Sequence, residues 1–599
     1  MRTSIATVSL SGSLTEKLTA AARAGFDGVE IFENDLLASP LTPEEIRARC
    51  ADLGLTIDLY QPMRDIEAVP EDEFARNLRR ARHKFELMRG LGADTVLVCS
   101  SVSPLAVDDD ALAAEQLSRL ADLAGEFGIR VAYEALAWGR HVSTYDHAWR
   151  LVETAGHPAL GTCLDSFHIL SRGSDPKGIE DIPGEKIFFL QLADAPLLAM
   201  DVLQWSRHYR CFPGQGGFDI PDLVRRVLHT GYDGPLSLEI FNDVFRQAEA
   251  GPTAVDARRS LLVLQETVGV AAPPASVAPT GVAFAELVTA DAEPVSAVLA
   301  ALGFARTARH RSKPVDLWQQ GEARVLVNTG TAVRRDGTGL AAIGLESPDP
   351  AAAARRAEAL LAPVLPRRRA PEDAPLDAVA APDGTELFFC ATGRPELPDW
   401  RADFEDVAHG PTSAAATARI DHLALTQPWH HFDEAALFHR SVLGLHAQES
   451  VDVADPYGLL RSRAVTNAEG SVRIALSVGA APTDDTVHAQ HIALATDDVV
   501  AAARRFTEAG GRLLPIPANY YDDLAARYEF ADGELETYRE LGILYDRDAH
   551  GTFRHCYTRT LGHVFFELVQ RDGDYRGYGA QNAPVRLAAQ HLVKGLTGG

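Results

Sequence analysis

The sequence predicts an α/β chain with an α+β tail: an N-terminal (β/α)8 barrel, then a C-terminal domain of paired β-α-β-β-β modules. Three observations carry this. Short apolar segments alternate with amphipathic ones over residues 1–250, and eight such units in about 250 residues is the size of a closed barrel. A Pro-, Ala- and Gly-rich stretch, GVAAPPASVAPTG (269–281), then interrupts every apolar period. Beyond it one pattern occurs twice. FAELVTADAEPVSAVLAALGF (284–304) parallels DHLALTQPWHHFDEAALFHRSVLGL (421–445), each a strand, a turn, a helix and a Gly-marked turn.

The barrel strands are placed at Ser4–Leu10, Gly28–Ile31, Thr56–Tyr60, Thr95–Cys99, Arg130–Glu134, Gly161–Asp165, Ile187–Gln191 and Pro235–Ile240. Between them, LTPEEIRARCADLG and DEFARNLRRARHKFELMRGLG have helical period and end on Gly, which caps a helix in the left-handed conformation. A helix from Ala254 to about Val268 closes this unit. The chain therefore divides into a barrel (1–268), a linker (269–281), a first module pair (282–393), a polar irregular linker (394–417) and a second pair (418–599). TELFFCATG (385–393) parallels HVFFELVQR (563–571), and QHIALATDDVVAAARRFTEAGG (490–511) opens the last module.

Composition is that of an ordinary globular chain, 46% hydrophobic and 23% charged. A net charge of −26 argues against nucleic acid or an anionic membrane surface as partner. It leaves room for an anionic small molecule, which needs only a local Arg. No apolar run reaches transmembrane length, and the six cysteines show no paired spacing. A reduced, cytoplasmic protein is expected, with assembly into a homo-oligomer left open.

Four polar residues end four of the strands: Glu134 in VAYE, Asp165 in GTCLD, Gln191 in IFFLQ and Glu239 in PLSLE. A barrel of this kind carries its chemistry at the carboxyl ends of its strands. One carboxylate after a strand is ordinarily a helix cap, but four oxygen ligands converging there would hold one hard divalent cation. Three carboxylates and an amide favour Mg, Mn or Co over Zn, which prefers nitrogen and sulfur. FPGQG (212–216) lacks the spacing and Lys of a phosphate loop and reads as a tight turn. His430 and His431, on a turn beside Trp429, are expected to face solvent.

The barrel resembles the xylose-isomerase-like sugar phosphate isomerase/epimerase superfamily. Within it, YEALAWGRH (133–141), LDSFHIL (164–170), QLADAP (191–196), WSRHYRCFPGQG (205–216) and SLEIFND (237–243) are similar to bacterial 3-dehydroshikimate dehydratases, in the long form that fuses the barrel to a dioxygenase-like half. The resemblance implies that Glu134, Asp165, Gln191 and Glu239 bind the metal, and that 3-dehydroshikimate is dehydrated to protocatechuate. That reaction removes a proton next to a ketone and expels a hydroxyl, so it needs charge stabilisation, a base and an acid. His168 is the candidate for the proton traffic. Arg210 is the first choice for pairing the substrate carboxylate and Arg64 the second, with Ser206 and His208 as further substrate contacts.

The C-terminal half resembles the vicinal-oxygen-chelate fold, and specifically 4-hydroxyphenylpyruvate dioxygenase. His422 in IDHLALT, His491 in QHIALAT and Glu567 in HVFFELVQR match that family's two-His-one-carboxylate triad, implying a second divalent metal, Fe or Mg. In the first copy Ala285 or Glu286 falls at the place of His422 and Cys390 at that of Glu567, so that copy is expected to bind none. The closing segment GYGAQNAPVRLAAQ (577–590) lacks the family's Phe, so metal binding is expected without native hydroxyphenylpyruvate turnover. Three rival readings stand beside the leading one. They are a sugar isomerase or epimerase on the same barrel, a bifunctional enzyme with an active dioxygenase half, and a C-terminal half that serves structure or oligomerisation.

Overall fold

The computed structural model describes residues 1–330, 337–366, 370–407, 419–456, 458–479 and 489–597. Two compact units divide it, Met1–Pro273 and Pro274–Gly599. Most of the 394–417 stretch beyond residue 407 lies outside the described residues.

In the first unit eight strands close in sequence order: β1 (Thr3–Ala6), β2 (Gly28–Phe32), β3 (Thr56–Met63), β4 (Thr95–Cys99), β5 (Arg130–Glu134), β6 (Leu160–Asp165), β7 (Ile187–Leu192) and β8 (Leu236–Leu238). All neighbours are parallel, and β1 pairs β8, with Ile5 opposite Leu238. Leu59, Leu97, Ala132, Cys163 and Phe189 fill the barrel interior. The helices begin and end where local chemistry allows. Leu14–Ala24 starts on a Ser13/Glu16 capping box and stops at Gly25, whose φ of 86° suits a residue without Cβ.

Three strands differ from the sequence reading by more than one residue at an end. β1 gives way at Thr7 to a 3-10 turn, β3 continues to Met63, and β8 is cut to three residues. The closing helix begins at Ala250. Pro252 falls in its first turn, where backbone N–H groups have no intrahelical partner, so a ring nitrogen costs no hydrogen bond there.

The second unit holds two mixed sheets. Its strands are β9 (Gly281–Val288), β10 (Ala305–His310), β11 (Val315–Gln320), β12 (Ala323–Asn328), β13 (Gly339–Glu346), β14 (Ala378–Ala380), β15 (Glu386–Cys390), β16 (Phe404–Asp406), β17 (Ile420–Thr426), β18 (His446–Ala447), β19 (Val451–Asp455), β20 (Gly458–Thr466), β21 (Arg473–Gly479), β22 (Gln490–Ala495), β23 (Leu544–Arg547), β24 (Gly551–Tyr557) and β25 (Val564–Gly573). One sheet runs β14-β15-β13-β9-β12-β11-β10, with β16 at its edge; the other runs β23-β24-β25-β22-β17-β21-β20-β18. The same strand order in both is the structural form of the sequence duplication.

Register makes the duplication residue-specific. β17 ends with Thr426 opposite Ser477, and β9 ends with Val288 opposite Asn328. With those ends aligned, His422 corresponds to Phe284, His491 to Ala342 and Glu567 to Phe388. Each cross-strand relation is kept, since His422 and Glu567 both neighbour Ala493 while Phe284 and Phe388 both neighbour Gly344. The expected Ala285, Glu286 and Cys390 are thus displaced by one or two positions. A one-residue slip moves a strand residue to the opposite face, which unaided sequence alignment cannot detect. Phe284, Phe388 and Trp400 fill the first sheet's inner face, their rings 4.9 and 5.9 Å apart.

Candidate functional site

At the carboxyl ends of the barrel strands, Glu134 and Asp165 end β5 and β6, Gln191 is the last but one residue of β7, and Glu239 follows β8 directly. All four are buried. Glu134, Asp165 and His168 offer ligand atoms within 4.8 Å of one another. Arg210 draws the fourth in. Its Nη1 donates to Asp165 Oδ2 at 2.8 Å and to Glu239 Oε2 at 2.9 Å. Ser206 Oγ accepts from Nε and Nη2 of the same guanidinium, and the Phe167 ring lies 4.7 Å from it. The Arg210 fork assigned from sequence to the substrate carboxylate is spent inside the protein.

Electrostatics follow from that crowding. Burial pushes Glu239 up to about 7, against the pull of Arg210. Burial and the charges of Asp165 and Glu239 push Glu134 well above the carboxylate range. Burial also opposes ionisation of Asp165, but Arg210 and His168 bring it below its ordinary value. His168 Nδ1 accepts the Ala137 N–H at 3.1 Å, Nε2 lies 3.9 Å from both Glu134 and Asp165, and burial lowers the ring to about 3. The imidazole is therefore neutral near pH 7.

Glu134 Oε1 is buried without a hydrogen-bond partner. Three carboxylates facing one guanidinium leave an uncompensated double negative charge when all are ionised. Both observations fit a dication, and Glu134, Asp165, Gln191 and Glu239 could hold one. Gln191 is oriented by a residue the sequence reading missed. Glu30 on β2 accepts from Gln191 Nε2 at 2.6 Å and from Gln61 Nε2 at 2.9 Å, and is bonded by Ser237 as well. That leaves Gln191 Oε1 as the amide's ligand atom. Burial and Glu239 push Glu30 well above the usual range. Its sequence signal was a lone acid inside the apolar strand GVEIF.

A cavity of ≈ 390 Å³ opens above these groups, lined by Arg64, Cys99, Trp138, His168, Ser206 and Phe241 among others. Arg64 has no hydrogen-bond or ion-pair partner for its guanidinium among the described residues, so it is an uncommitted cation of this cavity, as is the more exposed Arg207. His208 is not in the cavity wall; it is exposed and pairs with Asp243 at 2.8 Å. FPGQG folds around Asp194, whose Oδ2 accepts from the N–H groups of Gly214 and Gly216 at 3.0 Å. The turn expected from sequence is a cradle for a buried carboxylate.

In the second sheet His422, His491 and Glu567 converge. His422 Nε2 is 3.2 Å from His491 Nε2, and Glu567 Oε2 lies 3.1 and 3.2 Å from the two. The register explains this: residues two apart on a strand share a face, and adjacent strands place Ala424, His491 and Phe565 in one row and His422, Ala493 and Glu567 in the next. Groups outside the triad hold it. Asp421 takes the Nδ1–H of His422 at 2.8 Å and is itself held by Arg571. Asn582 donates to His555 Nε2 at 3.0 Å, which leaves the His555 Nδ1–H for Glu567 Oε1 at 2.6 Å. Gly579 is required beside them, because a Cβ there would lie 2.8 Å from Phe553 and 3.0 Å from the His555 ring.

Burial opposes the charge on Glu567, yet His422, His491 and His555 hold it well below the carboxylate range. Burial lowers His491 to about 4, whereas Glu567 and Asp421 outweigh burial at His422 and raise it. Glu567 Oε2 makes no well-directed hydrogen bond despite its burial, so this donor set too could hold a metal. His430 and His431, expected at the surface, are half-buried, with His431 Nε2 3.4 Å from Glu434. A third grouping of this kind, His310, Asp373 and Asp403, lies in the first sheet's half. Its carboxylates already accept the Ala370 and Ala374 N–H groups.

Comparison with known proteins agrees along the whole chain. Residues 18–267 match the family model of the xylose isomerase-like TIM barrel. Residues 274–390 match that of hydroxyphenylpyruvate dioxygenase, N-terminal, and residues 419–534 that of the glyoxalase/bleomycin resistance protein/dioxygenase superfamily. A 3-dehydroshikimate dehydratase from Pseudomonas putida is 45% identical, with 98% of each chain covered. Another from Pseudomonas aeruginosa is also 45% identical at the same coverage. A solved xylose isomerase-like TIM barrel/4-hydroxyphenylpyruvate dioxygenase fusion protein superposes with a TM-score of 0.89 at 43% identity, over 99% of this chain and all of the other.

Proposed function

The chain belongs to the 3-dehydroshikimate dehydratases, in the form that fuses a barrel to a dioxygenase-like half, and from that premise we propose that Glu134, Asp165, Gln191, Glu239, His168 and Arg64 carry its reaction. It is a hydro-lyase converting 3-dehydroshikimate to protocatechuate, a step of quinate and shikimate breakdown. The observation that carries the assignment is the partnerless Glu134 Oε1, buried beside Asp165 and Glu239 at the floor of the cavity. The four ligands hold a divalent cation, Mg, Mn or Co, which supplies Lewis-acid stabilisation of the negative charge that builds on the substrate's oxygens when the proton leaves.

The chain's own residues do the rest. His168, held neutral by burial and fixed in orientation by the Ala137 N–H, handles the proton through Nε2. Arg64 takes the substrate carboxylate at the rim. Arg210 ties Asp165 to Glu239 and keeps both aligned, with Ser206 fixing its plane; His208 then has no substrate role. The triad His422, His491 and Glu567 holds a second divalent metal, Fe or Mg. All six cysteines are buried, which supports a reducing, cytoplasmic setting. No helix of the described residues is long and apolar enough to cross a membrane. The test is direct: metal-loaded protein mixed with 3-dehydroshikimate should develop protocatechuate absorbance, and chelation should stop it reversibly. Full activity in metal-free protein would sink the assignment, and isomerisation of a sugar phosphate instead would favour the rival reading.

A further inference from the structure

In the second unit a cavity of ≈ 680 Å³ has His422 and His491 on one wall and the C-terminal helix Ala583–Thr597 on another. From that helix Arg586 reaches in. Its guanidinium lies 5.4 Å from the Phe565 ring and 5.7 Å from the Tyr557 ring, and both rings pack against His491. The only hydrogen-bond partner of Arg586 among the described residues is a neutral amide, Gln590 Oε1 at 2.8 Å. Gln590 Nε2 is buried with no hydrogen-bond partner among the described residues. The cavity thus has two anchor points: a donor set fit for a metal, and a cation whose companion amide holds an unused donor. No carboxylate meets Arg586 or Gln590 among the described residues. Between them the wall is mixed, with Leu425, Leu460, Leu587 and Tyr557 beside the hydroxyls of Ser462 and Ser477.

We propose that this cavity binds a planar aromatic carboxylate with two vicinal oxygens on the far edge of its ring, the carboxylate on Arg586 and Gln590 and the oxygens facing the triad. A bare metal centre binds chelating oxygens without needing Arg586. A carboxylate at the other end gives the guanidinium a charged partner in place of a neutral amide and satisfies the idle Gln590 donor, which costs free energy while buried and unmet. The leucine and tyrosine side chains of the wall give a flat aromatic ring more to pack against than a polyhydroxylated one. The dehydration product, a dihydroxybenzoate, has this chemistry, whereas the substrate has the same carboxylate on a more polar ring. The inference rests on the triad as a metal centre, and metal content separates failure of that premise from failure of the inference.

The probe is protocatechuate, titrated calorimetrically into the full-length Glu134→Ala protein loaded with Mn²⁺, so that the barrel's own site is disabled. Asp165→Asn serves as a second background should the first not fold. One tight event is expected, with catechol and benzoate at least about tenfold weaker, the scale of one lost charged contact. Arg586→Leu in the same background should weaken protocatechuate about tenfold or more, leave catechol unchanged and retain its Mn²⁺; Arg586→Lys should restore part of the loss. 3-Dehydroshikimate should bind more weakly than protocatechuate. Equal binding of catechol and protocatechuate, or an unchanged Arg586→Leu titration with metal in place, would overturn the proposal. Absence of Mn²⁺ from the triad would overturn its premise.

Discussion

The barrel mouth and the triad are both ligand sets that fit a divalent cation, but they are built on opposite principles. In the barrel, each ligand comes from the end of a different parallel strand, and the set is carboxylate-rich, tied together by one buried guanidinium. In the triad, ligands come from within neighbouring strands of one sheet, and two of them are aimed by a polar residue behind, His422 by Asp421 and Glu567 by His555. The first design concentrates negative charge and leaves carboxyls reluctant to ionise. The second pairs an ionised carboxylate with imidazoles that welcome it. The same strand order with Phe284, Ala342 and Phe388 at the ligand places fills with aromatic rings instead. The chemistry belongs to the grafted residues and not to the sheet.

The largest effect that would break this contrast is at the barrel. Glu134→Ala should cost dehydration roughly 10³-fold or more, the scale of several kcal/mol of lost metal-borne charge stabilisation, while the triad keeps its metal. Activity assay and metal analysis on the same preparation check it; loss of both metals would mean that the two sites are not separate designs. Next comes His168→Ala, expected to lower kcat roughly 10²–10⁴-fold with the metal retained, as for a positioned proton-transfer group.

Arg64 and Arg210 sharpen the comparison by separating substrate binding from site assembly. Arg64→Met should raise KM about 10–100-fold, the worth of one charged hydrogen-bonded contact, with kcat nearly kept. Arg210→Lys should weaken metal retention instead, because one ammonium cannot span Asp165, Glu239 and Ser206 as the planar fork does. If Arg210→Lys changed only KM, the sequence-based ranking of the two arginines would be restored.

That ranking shows where sequence reading stops. The eight strands and their polar ends were legible because one acid or amide at the edge of an apolar run stands out in VAYE or GTCLD. The triad was legible only through family resemblance, since His422 and His491 are 69 residues apart with no local pattern. Side-chain direction was not legible. SRHYRCFPGQG reveals that Arg210 belongs to the site, but whether its fork faces substrate or carboxylates depends on β6 and β8 meeting in space. Glu30 and His555 were missed because their partners lie on other strands, and Asp421 because the Arg571 that holds it does, although His422 is the next residue along.

The two designs should also respond to pH with opposite sign. Glu239 has its folded value raised from 4.5 to about 7. Protonation therefore favours the folded metal-free barrel, and about 3 kcal/mol of stability is lost as pH rises from about 4.5 through 7. Glu567 is depressed, so its contribution is present above the unfolded value and is lost only on acidification. In chelated full-length protein, amide-exchange protection near β5 and β8 should fall between pH 5 and 8 while that of β17 and β25 holds. Barrel metal affinity should weaken about tenfold per pH unit below 7, as the metal must displace the Glu239 proton. Parallel profiles at the two sites would refute the contrast.

The smallest effect tests the aiming residues of the triad. Asp421 is ionised far below its ordinary range, because His422 and Arg571 overcome its burial. It takes the Nδ1–H of His422 and so presents the Nε2 lone pair inward. Asp421→Asn keeps the shape but offers an amide that can bond His422 in either tautomer, so the ring is no longer held in the binding form. Loss of such a partner typically costs 10–100-fold in metal affinity. We expect the lower part of that range, because Arg571 also bonds the Tyr575 and Gly577 carbonyls and keeps the neighbourhood in place. Competitive metal titration of the triad checks this. A variant that holds its metal as tightly as wild type would show that strand register alone aims His422, and that the triad, like the barrel, relies on strand placement rather than on the polar residues behind its ligands.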